Sequence, residues 1–124
     1  MQKKKVLVVD DEENFCQTVK LNLEQTGDFE VRTETDGKKA LGAAREFKPD
    51  FIFLDIVMPD MDGPQVMDNI HKDVFLKDVP IVFLTALITK EEETLEGGTI
   101  AGRNFLSKPV TTEQLVECIK QHLK

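Results

Sequence analysis

Five polar side chains stand where apolar runs stop. Asp10 and Asp11 follow the run at residues 6–9, Asp55 follows 51–54, Thr85 follows 81–84, and Lys108 follows the short segment 104–107. Carboxylates gathered at one point repel one another, and unless some take up protons they require a cation between them. Mg²⁺ suits such a set, because it prefers oxygen ligands, keeps several waters and commonly binds through one or two carboxylates plus a phosphate oxygen. A lysine adds a point charge suited to a phosphoryl oxygen, and a threonine hydroxyl adds a donor. These residue types describe phosphoryl-transfer chemistry, provided the fold brings all five together.

The surrounding elements predict that it does. Residues 6–9, 51–54 and 81–84 are apolar without alternation, as strands covered on both faces are. Residues 29–34 alternate apolar and polar, and 104–107 is short, so both are expected at sheet edges with less burial. Phe15, Val19 and Leu23 recur every four residues, and Leu115, Val116, Ile119 and Leu123 form a second helical stripe. Thr89-x-x-Glu92 and Thr111-x-x-Gln114 fit capping boxes that start helices. Five strands alternating with about five helices predict a parallel α/β sheet with right-handed crossovers. Ligands of such sheets bind outside the carboxyl ends of the strands, which is where the five polar residues fall.

Composition narrows the function. At 124 residues the chain fits one domain, residues 1–124, with no repeat or linker. Hydrophobic residues make up 40% and charged residues 31%, and no apolar stretch approaches the roughly 20 residues of a membrane span. The basic start ahead of residues 6–9 imitates an export signal, but the apolar run ends after four residues at two aspartates. The expectation is a soluble, cytoplasmic protein. A net charge of −7 argues against direct nucleic-acid binding, which calls for clustered Lys and Arg. Cys16 and Cys118 have no C-x-x-C spacing and read as reduced, buried thiols.

Four ordered motifs carry a family resemblance: Val8-Val9-Asp10-Asp11-Glu12, the stretch from Leu54-Asp55 through Pro59 to Gly63, Leu84-Thr85-Ala86, and Lys108-Pro109. Over essentially the whole chain the sequence resembles the response-regulator receiver domain of two-component signal transduction. The resemblance implies a doubly wound (βα)5 fold with flavodoxin-like strand order 2-1-3-4-5. It implies that Asp55 accepts a phosphoryl group from a sensor histidine kinase or a histidine phosphotransfer protein. It further implies that Asp11, Asp55 and the Val57 carbonyl ligate Mg²⁺ with Asp10 helping through water, that Lys108 pairs with Asp55 or a phosphoryl oxygen, and that Thr85 binds another. Phe105 matches an aromatic that changes rotamer on activation, and Lys108-Pro109 is expected to be cis. The implied protein is a signalling switch that catalyses its own phosphorylation and dephosphorylation, rather than an enzyme. It would act on an output partner or domain unknown from the sequence, and phosphorylation-dependent dimerisation is compatible with it.

Simpler readings compete for several residues. Asp10 and Asp11 at a helix start gain ~0.3–1 kcal/mol from the dipole, which leaves Asp55 unexplained. Asp60-Met61-Asp62-Gly63 superficially resembles a calcium loop but has the wrong frame, and it reads as a turn with Pro64 opening a helix. His71 and His122 are expected at the surface. A haloacid-dehalogenase-type enzyme would need Asp-x-Asp after the first strand, a flavin carrier would need Gly, Ser and Thr donors there, and a pseudo-receiver would lack part of the acidic site. The sequence departs from the family in having Ala101 where glycine is usual, a longer interval from Thr85 to Lys108, and Gly97-Gly98 where the preceding helix should end. These departures bear on the partner surface rather than on the acidic site.

Overall fold

A computed structural model describes residues 3–59, 61–86, 99–100 and 103–123. The helix expected from Thr89, Leu87, Gly97-Gly98, Ala101 and Gly102 lie outside the described residues. The elements run β1 (Lys4–Val9), α1 (Glu13–Gln25), β2 (Phe29–Glu34), a 3-10 turn (Gly37–Lys39), α2 (Ala40–Phe47), β3 (Phe51–Asp55), α3 (Gly63–His71), β4 (Ile81–Thr85), β5 (Thr99–Ile100), β6 (Arg103–Ser107) and α4 (Thr112–His122). Five parallel strands stand in the order β2-β1-β3-β4-β6, which is the 2-1-3-4-5 order expected.

The outer edge differs from expectation. The two-residue β5 pairs antiparallel with β6, Thr99 opposite Asn104, so β6 is flanked on both sides. Phe105 and Ser107 are buried, although the shortness of the segment suggested an exposed edge; Phe105 packs into the core that α2 and α3 cover. The side of the sheet holding β2 is an edge as expected, and its alternation reflects that.

Strand geometry explains why three strands are continuously apolar. Successive side chains leave a strand on opposite faces, so each residue needs an apolar neighbour on its own side. Val6, Val8, Phe51, Phe53, Val82 and Leu84 join a core that Cys16, Val19 and Leu23 of α1 and Leu115, Cys118 and Ile119 of α4 complete. Leu7, Val9, Ile52, Leu54, Phe83 and Phe105 join the other, covered by Ala40, Ala43 and Ala44 of α2 and Val66 and Ile70 of α3. Among the described residues two helices cover each face, and the buried polar groups Asp10 and Asp55 come at the carboxyl ends of the strands.

Helix starts are set by side chains. Thr111 caps α4, accepting from Gln114 N at 3.1 Å while Gln114 Oε1 accepts from Thr111 N at 2.8 Å. Asp62 and Gln65 make the same reciprocal pair at α3, ahead of Gly63 and Pro64. The D-x-x-Q spacing beside Pro64 marks that start in the sequence as well. Both histidines are half-buried rather than at the open surface: His71 Nε2 lies 3.2 Å from the Val79 carbonyl, and the His122 ring packs edge-on against Phe51. Among the described residues no helix is long and apolar enough to cross a membrane.

Candidate functional site

β1 and β3 are adjacent and in register, Val9 beside Leu54, so the residues that follow them emerge together at the carboxyl edge. Asp10, Asp11 and Asp55 each offer an oxygen, and these oxygens lie within 4.8 Å of one another. Asp10 and Asp55 are buried while Asp11 is exposed, so the cluster opens to solvent on one side. β6 delivers Lys108 through the loop at its end, and the Lys108-Pro109 bond is cis. Its ammonium stands 2.6 Å from Asp10 Oδ2, 3.2 Å from Glu12 Oε1 and 3.8 Å from Asp55 Oδ2. The backbone of Thr85 ends β4 beside Ser107, and Leu84 pairs with Asp55.

The electrostatics follow from burial. Burial, then the charge of Asp10, pushes Asp55 from its ordinary 3.8 up to about 6, against the opposing pull of Lys108 and the Val57 N–H. Burial also raises Asp10, with Lys108 acting the other way. For Lys108, burial alone would lower the pKa, but its contact with Asp10 and the charges of Asp10 and Asp55 outweigh that and raise it. The lysine is therefore a fixed cation. One ammonium set against Asp10, Asp55 and Glu12, with Asp11 beside them, leaves the cluster net negative.

Asp10 Oδ2 is fully buried, and the Lys108 ammonium 2.6 Å away is a single cation beside three carboxylates whose oxygens lie within 4.8 Å of one another. Three carboxylate oxygens this close, with one side open for retained waters, fit a hard divalent cation of the Mg²⁺ type. The donor set is all oxygen, which disfavours softer metals.

Several neighbours that shape the site were not evident beforehand. Glu12 N donates to Asp10 Oδ1 at 2.9 Å, and the Cys16 thiol donates to the Asp10 carbonyl at 3.3 Å. Burial, then the charge of Asp10, pushes that thiol up to about 12, so it remains a protonated donor. The Phe15 ring lies 4.3 Å from Lys108 Nζ, a cation–π contact that walls the ammonium on the helix side. Behind Asp55, Gly63 opens α3 with its N–H on the Ile56 carbonyl at 2.8 Å, so close that an added Cβ would lie 2.5 Å from the Asp55 carbonyl oxygen. A glycine inside a turn motif signals a tight turn; that this one abuts the acidic strand end is visible only in three dimensions.

Two other residues of the expected set, Val57 and Phe105, lie outside the carboxylate cluster itself. Val57 contributes its N–H to Asp55 Oδ1 at 3.4 Å, while its side chain stands outside the core at 54% exposure. Phe105 is buried on the α2–α3 side beside Phe83, inside the sheet rather than at the acidic edge.

Comparison with known proteins agrees with this arrangement. Residues 6–120 match the family described as the response regulator receiver domain. The polar-differentiation response regulator DivK of Brucella anthropi is 34% identical over 122 residues, covering 97% of this chain and 96% of DivK. The alkaline phosphatase synthesis transcriptional regulatory protein PhoP of Bacillus subtilis is 34% identical over 121 residues, covering 98% of this chain and 49% of PhoP. The chain spans about half the length of PhoP and likewise of the transcriptional regulator RpaA of Synechocystis. Among solved structures, the Vibrio cholerae chemotaxis protein CheY4 superimposes with a TM-score of 0.83 at 32% identity, covering 98% of this chain and all of CheY4. On the sequence match and the shared fold alike, the chain belongs to the response regulator receiver domains, the receiving modules of two-component signalling.

Proposed function

We propose that this chain works as one receiver unit whose Asp55 takes a phosphoryl group from a phosphohistidine on a sensor kinase or phosphotransfer protein. The observation that carries the reading is the convergence of Asp10, Asp11 and Asp55 within 4.8 Å, with the Lys108 ammonium among them, at one strand edge. An Asp55 carboxylate oxygen attacks phosphorus, the new O–P bond forms as the N–P bond breaks, and the electron pair returns to the imidazole nitrogen, which is then protonated. Asp10, Asp11, Asp55 and the Val57 carbonyl would hold Mg²⁺. When bound, that ion supplies positive charge to the transferring oxygens.

The chain's own residues do the positioning. Gly63 lets α3 press against the Asp55 backbone and hold the carboxylate at the open edge. Lys108 sits nearer Asp10 than Asp55, so it can follow charge onto a phosphoryl oxygen without leaving Asp10's reach. Thr85, ending the neighbouring strand, is assigned a second phosphoryl oxygen, and its movement is coupled to the Phe105 ring to produce the switch. The output is a partner or attached domain, and the working compartment is the cytoplasm. Intact-mass measurement tests the reading: incubation with acetyl phosphate and Mg²⁺ adds one phosphate to the native chain and none to Asp55→Asn. An equal mass gain in the variant refutes it.

A further inference from the structure

The pole opposite Asp55 carries a second surface feature. The end of α2, the entry to β3 and the turn between α3 and β4 enclose a groove of about 750 Å³, lined by Arg45, Lys48, Pro49, Val74, Phe75 and Val79 among others. It precedes the strands whose far ends form the acidic site, so β3 alone separates the two by about 13 Å. Phe75 is 90% exposed and Val74 68%. Single exposed apolar residues are ordinary, but two adjacent ones beside a hollow make a contact surface.

The turn is built to hold them out. Asp73 Oδ1 accepts from Phe75 N at 2.9 Å, Leu76 N donates to the Asp73 carbonyl at 3.1 Å, and the buried Leu76 side chain anchors the turn in the core. A surface ordered before binding loses less freedom on contact.

Charge indicates the occupant. Although the chain carries −7 overall, the charged residues lining the groove are Arg45 and Lys48 against the one carboxylate of Asp73. The Asp73 carboxylate is 9% exposed and tied to Arg45 Nε at 2.7 Å, so it repels an incoming anion little, while the Arg45 side chain remains 61% exposed. Lys48 itself adopts a left-handed conformation, φ 56°, at the end of α2, a position that glycine fills with less strain. Retaining a lysine there places a cation on the groove wall at a backbone cost.

We propose that this groove docks an acidic, amphipathic segment of a partner protein, with an apolar side chain against Phe75 and Val74 and carboxylates meeting Lys48 and Arg45. The surface is independent of the Asp55 reading, and either can fail alone.

The test is an amide chemical-shift titration of the full chain with the acetylated peptide Glu-Asp-Leu-Phe-Glu-Glu-Leu, and with a control in which every acidic residue is lysine. The acidic peptide should shift the amides of Lys48 and of residues 73–77, and the lysine peptide should not. Phe75→Ser should weaken binding about ten-fold. Lys48→Gly should weaken it several-fold while raising the melting temperature, an opposite pair of effects that loss of structure would not produce. Binding of both peptides alike, shifts confined to other faces, or an undiminished affinity in Phe75→Ser would overturn the proposal. So would concentration-dependent shifts at the groove in the free chain, which would assign the surface to a second copy.

Discussion

Replacing Gly63 with alanine should damage the molecule far more than one methyl group ordinarily does. The added Cβ would lie 2.5 Å from the Asp55 carbonyl oxygen, 2.9 Å from Ile56 Cα and 3.0 Å from a Phe83 ring carbon. Two of these contacts are backbone, and the ring belongs to a buried side chain, so no flexible group can yield. Overpacking of this kind costs about 1–3 kcal/mol and sometimes more, and with two backbone clashes the upper end, about 3 kcal/mol, applies. Spread over the unfolding entropy of a chain this long, that is a fall of about 11 °C in melting temperature. Gly42, in the first turn of α2 with nothing within 4 Å of a Cβ, supplies the opposite case. Gly42→Ala should stabilise the helix by about 0.5–1 kcal/mol, raising the melting temperature by about 2–4 °C. Relief of the clash at Gly63 must move α3 or Asp55, so phosphorylation by acetyl phosphate should slow in Gly63→Ala and stay unchanged in Gly42→Ala. Thermal denaturation followed by circular dichroism and intact-mass kinetics measure the two effects. If Gly63→Ala melted within 2–3 °C of the native chain, about 1 kcal/mol or less, the close approach of α3 to the acceptor strand would be disproved.

Three other outcomes are expected. In EDTA, an Asp55 raised from 3.8 to about 6 keeps a proton in the folded chain that the unfolded chain has released, so its contribution to stability falls as pH rises between those values. Asp55→Asn should therefore equal the native chain below about pH 4 and exceed it by roughly 2–3 kcal/mol above pH 6; Mg²⁺ should narrow that gap, and a pH-independent difference in urea denaturation would count against the buried charge cluster. Thr111→Ala removes the acceptor of the Gln114 N–H and should lower the melting temperature by about 4 °C, with no loss meaning that the box does not hold α4. Finally, the apolar Val57, whose side chain is exposed beside Asp55, and Leu87 by family position should shield the phosphoryl group from water, so Val57→Asn/Leu87→Glu should lose phosphate about five- to thirty-fold faster after donor removal.

Much of this protein was readable from its chain because local chemistry repeats a physical rule. Continuous apolar runs at 6–9, 51–54 and 81–84 predict strands buried on both faces, and the structure covers both faces of each with helices. Polar residues placed immediately after such runs must share one edge if the strands are parallel, which is why Asp10, Asp11 and Asp55 could be grouped before any coordinates. Thr111 and Gln114 likewise announce a helix start through a contact three residues long. The rest depended on distances between segments remote in sequence. Nothing in the order of residues says that Lys108 would lie closer to Asp10 than to Asp55, that Phe15 would face its ammonium, or that Gly63 would touch the acceptor strand. The burial of Phe105 depended on its packing beside Phe83 in the core that α2 and α3 cover. Val74-Phe75-Leu76 is a uniformly apolar run in the sequence, and only the turn fixed by Asp73 determines that Leu76 goes in and Phe75 goes out. Sequence specifies pairings within about one helical turn or one strand; the burial that raises the pKa of Asp55 and seats the Lys108 ammonium against Asp10 arises only when separate segments exclude water together.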